Sequence, residues 1–250
     1  MFAIRPWWLP RVMALDFLGN KGVATSIGHA PGAALVDPAA GSRLAIAEAL
    51  TNLVWAPLSH GLKGVSLSAN WMWPAKNAGE NARLYRAVEA VSEFACALKI
   101  NIPTGKDSLS MTQKYPDGKV VYSPGTVIIS TVAEVEDIRK TVSPDLKPVN
   151  GSVLLHIDFS KSAHALGGSS FAQVVNQLGD AAPTVSDPAY FAKAFEAVQQ
   201  LIRENLILAG HDISAGGLLT ALLKMCFPTP GVALKADIRA LGNNAVAALF

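Results

Sequence analysis

VDPAAGSRLAIAEALTNLVWAP, residues 36–57, combines a helix start signal with two polar side chains one turn apart. Asp37 has the chemistry of an N-cap, and Pro38 suits the first helical turn, where a missing N–H costs nothing. Ile46, Leu50, Leu53 and Val54 then recur at helical spacing and predict a buried stripe. Glu48 and Asn52 lie four residues apart on another face, so both side chains can reach one point. A carboxylate and an amide oxygen at that spacing suit a hard divalent cation such as Mg²⁺. Taken alone, the pair also fits a solvated polar face, which is the commoner meaning of such a pattern.

Two further stretches carry site chemistry. NIPTGKDSLSM, residues 101–111, places Lys106, Asp107, Ser108 and Ser110 behind a proline and a glycine. It reads as a loop suited to oxyanions or as an ordinary polar turn. It is not a P-loop, which needs GxxxxGK[ST]. LILAGHDISAGGLLTALLKM, residues 206–225, reads as an apolar strand ending at His211-Asp212, a turn, and a helix opened by Gly216-Gly217. Glycines at a helix start let a phosphate approach the backbone, and the helix dipole favours the anion. Asp212 at the strand end could hold the accompanying cation. A plain turn capped by Asp212 or Ser214 explains the same text equally well.

Taken together, EALTN, LSANWMWP, IPTGKDSLSM and HDIS-x-GG, in this order, resemble phosphoribosylformylglycinamidine synthase. The likeness is to the second synthetase half of its large single-chain form. SIGHAP, VDPAAGSRLAIAEALTN and NARLYRAVEAVSEFACAL fit as well, so the resemblance runs from about Val12 to Phe250. It implies an α+β, aminoimidazole ribonucleotide synthetase-like fold. An N-terminal sheet domain over 1–145 would be followed by a truncated α/β sandwich domain over 146–250. It implies an ATP-dependent ligase that turns formylglycinamide ribonucleotide into formylglycinamidine ribonucleotide, with ammonia from a glutaminase domain. One synthetase half of that family performs turnover, and the other holds a nucleotide with Mg²⁺ in an auxiliary site. The stretches here resemble the auxiliary half. Motif matching places Glu48, Asn52 and Asp212 on metal ligands and Ser214 on a nucleotide contact, with Mg²⁺ and ATP/ADP as cofactors. The family's fourth ligand, an Asp, falls in register on Leu9. Asp16 lies seven residues on, so strand alternation points it to the opposite face. The likeness matches no catalytic histidine and no ammonia source, and leaves the catalytic residues unknown.

Composition agrees with a cytoplasmic enzyme fragment. Of 250 residues, half are hydrophobic and 16% charged, so much of the chain should be buried. A net charge of +2 gives no reason to expect nucleic acid or an acidic membrane as partner. Cys96 and Cys226 both sit in apolar helical text and read as buried free thiols, not as a disulfide or zinc site. The prolines and arginines of MFAIRPWWLPR exclude a signal peptide or membrane span there. Both ends look cut, the last being the apolar run Ala245–Phe250.

The remaining pattern predicts a strand at Arg11–Phe17, another near Gly64–Ala69, and a helix over Glu80–Leu98 with Leu84, Val88, Val91, Ala95 and Leu98 buried. Phe94 and Tyr85 read as core. GTVIISTVAEV reads as a buried strand, Thr141–Gly151 as a linker, VLLHIDF as a strand and GSSFAQVVNQL as a helix. Asp187-Pro188 should cap a helix running to about Asn205. Trp71, Met72 and Trp73 fit an interdomain core better than a base-stacking surface. His29 and His60 read as surface residues. Two functions follow: a section of an ATP-dependent ligase, or a nucleotide-binding module in which Mg-ADP fastens domains without turnover. Expected partners are nucleotide and ribonucleotide, another synthetase half and a glutaminase domain, with a homodimer as a further option. Selenophosphate synthetase and thiamine-phosphate kinase share the fold but act on other substrates, so fold alone does not choose.

Overall fold

A computed structural model describes residues 10–250. Strands β1 (Arg11–Ala14) and β2 (Gly22–Gly28) are followed by helices α1 (Pro31–Val36) and α2 (Pro38–Leu53). Strand β3 (Ser66–Met72), helix α3 (Glu80–Leu98) and strand β4 (Asn101–Ser108) form a parallel strand–helix–strand unit. A small hairpin, β5 (Thr112–Lys114) with β6 (Val120–Tyr122), leads into the long strand β7 (Thr126–Val135). The main sheet has the order β1-β2-β7-β3-β4. The remainder contains helices α4 (Ser170–Val174), α5 (Pro188–Arg203), α6 (Gly217–Cys226) and α7 (Ala245–Leu249).

Helix α2 starts where its sequence says. The Asp37 carboxylate accepts from the N–H groups of Ala39 and Ala40, and Pro38 fills the first turn. Ile46, Leu50, Leu53 and Val54 are all sealed from solvent. They pack with Leu67, Val127 and Ile129 of the sheet and with Phe94 of α3. Alternation along β2 and β7 buries one face under the helices, including Ala24, Ser26, Val127, Ile129 and Thr131. The opposite face exposes Met13, Ile27 and Val132.

The C-terminal part is fastened to this layer by α5. Phe191 meets Phe94 edge-on at 5.8 Å and Phe159 at 5.3 Å. Gln199 is fully buried and satisfied by backbone. Its Nε2 donates to the carbonyls of Val54 (2.6 Å) and Ala56 (2.9 Å), and its Oε1 accepts from the Leu58 N–H at 2.8 Å. These bonds hold the segment leaving α2 against α5.

Several expectations need correction. The first strand ends at Ala14, because Asp16 turns the chain by accepting from the Leu18 and Gly19 N–H groups. Lys106–Ser108 belongs to a strand, β4, whose edge position leaves its polar side chains exposed. Val153–Phe159 and Leu206–Gly210 form no strands. Val153, Leu155 and Leu206 are exposed, and among the described residues no neighbouring strand takes up those backbone groups. The helix expected over 168–178 shortens to α4. On α3, Ala87 and Ala90 are buried, whereas Val88 and Tyr85 are exposed, Tyr85 at 68%. Leu84 is only partly covered. Cys96 is exposed and Cys226 half-buried, since both lie off the packed faces of their helices. Trp73 is fully buried, its indole N–H donating to Glu80 Oε2 at 2.8 Å.

Gln199→Leu would keep most of the volume and strand three buried backbone groups. At about 1–3 kcal/mol for each unpaired group, a loss of roughly 3 kcal/mol or more is expected in urea unfolding.

Candidate functional site

Glycine decides where α2 lies. A Cβ on Gly28 would stand 2.2 Å from the Ala49 nitrogen and 2.3 Å from the Ala45 oxygen, so only glycine admits the helix at this distance. Two side-chain ties complete the contact. Ser26 Oγ donates to the Ala49 carbonyl at 2.6 Å, and Asn52 Nδ2 donates to the Ile27 carbonyl at 3.1 Å. The second tie turns the Asn52 amide so that its oxygen points away from the strand. That oxygen is buried and has no hydrogen-bond partner.

Glu48 lies one turn earlier, its Oε1 3.5 Å from Asn52 Nδ2. The segment before α6 approaches the same place. Asp212 raises the pKa of Glu48 by its charge, the Ser214 hydroxyl hydrogen-bonds the Glu48 carboxylate, and Lys224 of α6 acts on it from further along the helix. Burial, and secondly the Asp212 charge, push Glu48 up to about 8 against an ordinary 4.5. The bonds from Asn52 and Ser214 and the Lys224 charge offset only part of that. The Asp212 side chain is 1% exposed, and neither carboxylate oxygen finds a hydrogen-bond partner. His211, itself 3% exposed, sets its Nδ1 3.2 Å from Asp212 Oδ1.

All four residues expected from the sequence, Glu48, Asn52, Asp212 and Ser214, therefore meet, although 160 residues and more separate the two groups. The buried oxygens of Asn52 and Asp212, without hydrogen-bond partners, and the Glu48 carboxylate are hard-oxygen donors of the chemical kind that a small divalent cation takes. Among the described residues no three His, Cys, Asp or Glu side chains gather as a metal cage, so an amide oxygen is needed to complete the set. Leu9 lies outside the described residues. Lys106, Asp107 and Ser108 are not part of this cluster, because β4 stands three strands away from β2. Lys106 instead donates to Ser108 Oγ at 2.6 Å. The glycine pair does open α6, with Gly216 as its N-cap at φ 91° and Gly217 as its first residue. Lys224 and the Ile27 carbonyl escaped the sequence reading. Lys224 had a signal, being the one cation in the apolar helix GLLTALLKMC.

A sheet layered with α2 and α3, followed by a helical segment that returns Asp212 to α2, defines a synthetase-like α+β protein. The chain belongs to the FGAR-AT PurM N-like domain family, which it matches over residues 5–134, and residues 150–248 match the AIR synthase related protein C-terminal domain. It is 48% identical over 217 residues to the probable phosphoribosylformylglycinamidine synthase, chloroplastic/mitochondrial, of Arabidopsis thaliana, covering 86% of this chain. It is 43% identical over 244 residues to the probable phosphoribosylformylglycinamidine synthase of Caenorhabditis elegans, covering 93%. The chain spans 15% and 18% of the length of those two relatives. Thermotoga maritima PurL, solved with AMPPCP, superposes with a TM-score of 0.57 at 15% identity, over 88% of this chain and 32% of that one. The same protein solved with FGAR gives 0.57 at 14%, over 87% and 33%. At such identity the likeness shows the shared fold. No helix among the described residues is long and apolar enough to cross a membrane.

Glu48 keeps its proton in the folded chain to a higher pH than in the unfolded one. Between pH 4.5 and about 8 the folded chain holds a proton that the unfolded chain releases. The stability contributed by Glu48 is therefore complete below 4.5 and lost as pH rises through 8. Without added metal, thermal melts of the parent chain should fall across this window. In Glu48→Gln, which cannot ionise, that part of the slope should vanish, leaving the variant the more stable protein at pH 9.

Proposed function

We propose that this chain is a section of an ATP-dependent ligase of purine biosynthesis, the type that converts formylglycinamide ribonucleotide to formylglycinamidine ribonucleotide. In this reading it carries the auxiliary Mg-nucleotide site. The observation that supports it most is the convergence of Glu48, Asn52 and Asp212, with three buried oxygens of Asn52 and Asp212 that make no hydrogen bond. Buried polar atoms without partners are rare in folded proteins, and a bound cation accounts for them. Glu48, Asn52 and Asp212 would hold Mg²⁺ against the phosphates of ATP or ADP. Ser214, beside Glu48, would contact the nucleotide. When bound, the cation neutralises phosphate charge and fixes its orientation.

One observation favours a holding role over turnover at this place. The ligands come from α2 and from the segment before α6, so an ion there would staple the sheet layer to the C-terminal part. We accordingly put the domain boundary at 145/146, inside the coil over 141–151, and read the nucleotide as a fastener between domains 1–145 and 146–250. The sheet face exposing Met13, Ile27 and Val132 is the place where another synthetase-like half would pack, or a second copy of this chain. Ammonia in this reading comes from a glutaminase domain. The cytoplasmic expectation stays part of the proposal, although the Arabidopsis relative is named for organelles.

Melting curves with ADP alone, Mg²⁺ alone and Mg-ADP test the site. Mg-ADP at about a hundredfold excess over its dissociation constant should stabilise the fold by roughly 2.7 kcal/mol, with much less from either component. Asp212→Asn and Asn52→Ala should remove the gain while leaving the ligand-free fold intact. An equal Mg-ADP shift in both variants would refute the ligand assignment.

A further inference from the structure

Asp212 is buried beside a histidine that does not hydrogen-bond its carboxylate. His211 Nδ1 lies 2.6 Å from the Asp212 main-chain oxygen. A carbonyl oxygen only accepts, so Nδ1 carries the hydrogen and donates it there. The same nitrogen is 3.2 Å from Asp212 Oδ1, yet that oxygen has no hydrogen-bond partner by geometry. The imidazole thus commits its donor to the backbone of the next residue. Both carboxylate oxygens of Asp212 stay available, at a burial that would otherwise drive them to the nearest donor.

We infer that His211 is a positioning residue for the cation site, fixing the Asp212 peptide plane so that the carboxylate is presented toward Glu48 and Asn52. This rests on the metal-site reading above and adds a residue to it. The chemistry is that of an outer hydrogen bond which orients a ligand without touching the ion. The main chain at Asp212 has no regular structure around it, the segment 211–214 being coil between Gly210 and the turn before α6. In such a segment a side chain bonded to the peptide is a direct means of setting the direction of the Asp212 Cα–Cβ bond.

Two substitutions separate positioning from space filling. His211→Asn keeps an amide N–H near the place of Nδ1 but loses ring volume. His211→Leu keeps much of the volume and loses the donor. The probe is Mn²⁺ with ADP, with free Mn²⁺ followed by electron paramagnetic resonance. Positioning predicts that His211→Asn binds within about threefold of the parent and that His211→Leu is weaker by about tenfold to a hundredfold. The melting temperature of the ligand-free proteins would run the other way, with Leu at or above Asn. Equal Mn²⁺ affinities, or tighter binding by Leu than by Asn, would overturn the inference. If the Leu variant does not fold, the Asn variant decides alone: near-parent affinity supports positioning, and a tenfold loss ends it. Failure of the parent chain itself to bind Mn²⁺ with ADP would overturn the site reading, a result distinct from parent binding with unaffected variants.

Discussion

Helix α2 rests on strand β2 with no side chain between them at Gly28, and much else in the chain follows from that contact. Because the helix sits so low, Ser26 can bond the Ala49 carbonyl and Asn52 can bond the Ile27 carbonyl. The first bond consumes a carbonyl in mid-helix, and the second fixes an amide at the helix end. Ile46, Leu50 and Leu53 are pressed into the sheet and against α3 by the same approach. The segment leaving the helix then lies where Gln199 can gather its backbone groups, and so α5 is docked. Small residues at the helix–strand contact thus set the position of the C-terminal part as well as that of α2.

The electrostatics of the site run against stability and are tolerated for that reason only within a well-anchored frame. A carboxylate with a pKa near 8 destabilises the fold at neutral pH, and beside it lies a second buried carboxylate whose oxygens accept no hydrogen bond. The frame itself holds satisfied polar groups: Gln199 with three backbone bonds, Ser26 with Thr131, Asp37 at its helix start. Local conflict inside a consistent frame is the pattern expected where a site serves binding.

The N-terminal fold was legible because its signals are local. Asp37-Pro38 and Asp187-Pro188 each cap the helix that follows, and Glu80–Leu98 appears with the bounds its pattern predicts. Local text did not reveal which turn of α3 faces inward. Ala87 and Ala90 lie on the buried face of α3 whereas Val88 and Tyr85 lie off it, and which face is buried depends on helix packing. Val153–Phe159 and Leu206–Gly210 have strand composition, but a strand exists only through its neighbour. No single segment states who that neighbour is.

The site was legible in a different way. Glu48 and Asn52 are paired by helical spacing alone, whereas their meeting with Asp212 and Ser214 came from the family likeness and could not come from periodicity. GKDSLSM shows the limit of motif reading: its residue types suit an anion, yet the sheet order carries them to an edge away from Glu48. The burial of His211 was equally invisible, since a histidine beside an aspartate reads the same in text whether its ring meets carboxylate or backbone. That difference decides what Asp212 can do. A carboxylate bonded by its neighbour is a settled structural group, while one whose neighbour bonds the backbone keeps both oxygens for something else. In the proposed site, a cation is the partner that would satisfy the buried oxygens of Asp212 and Asn52 together with Glu48.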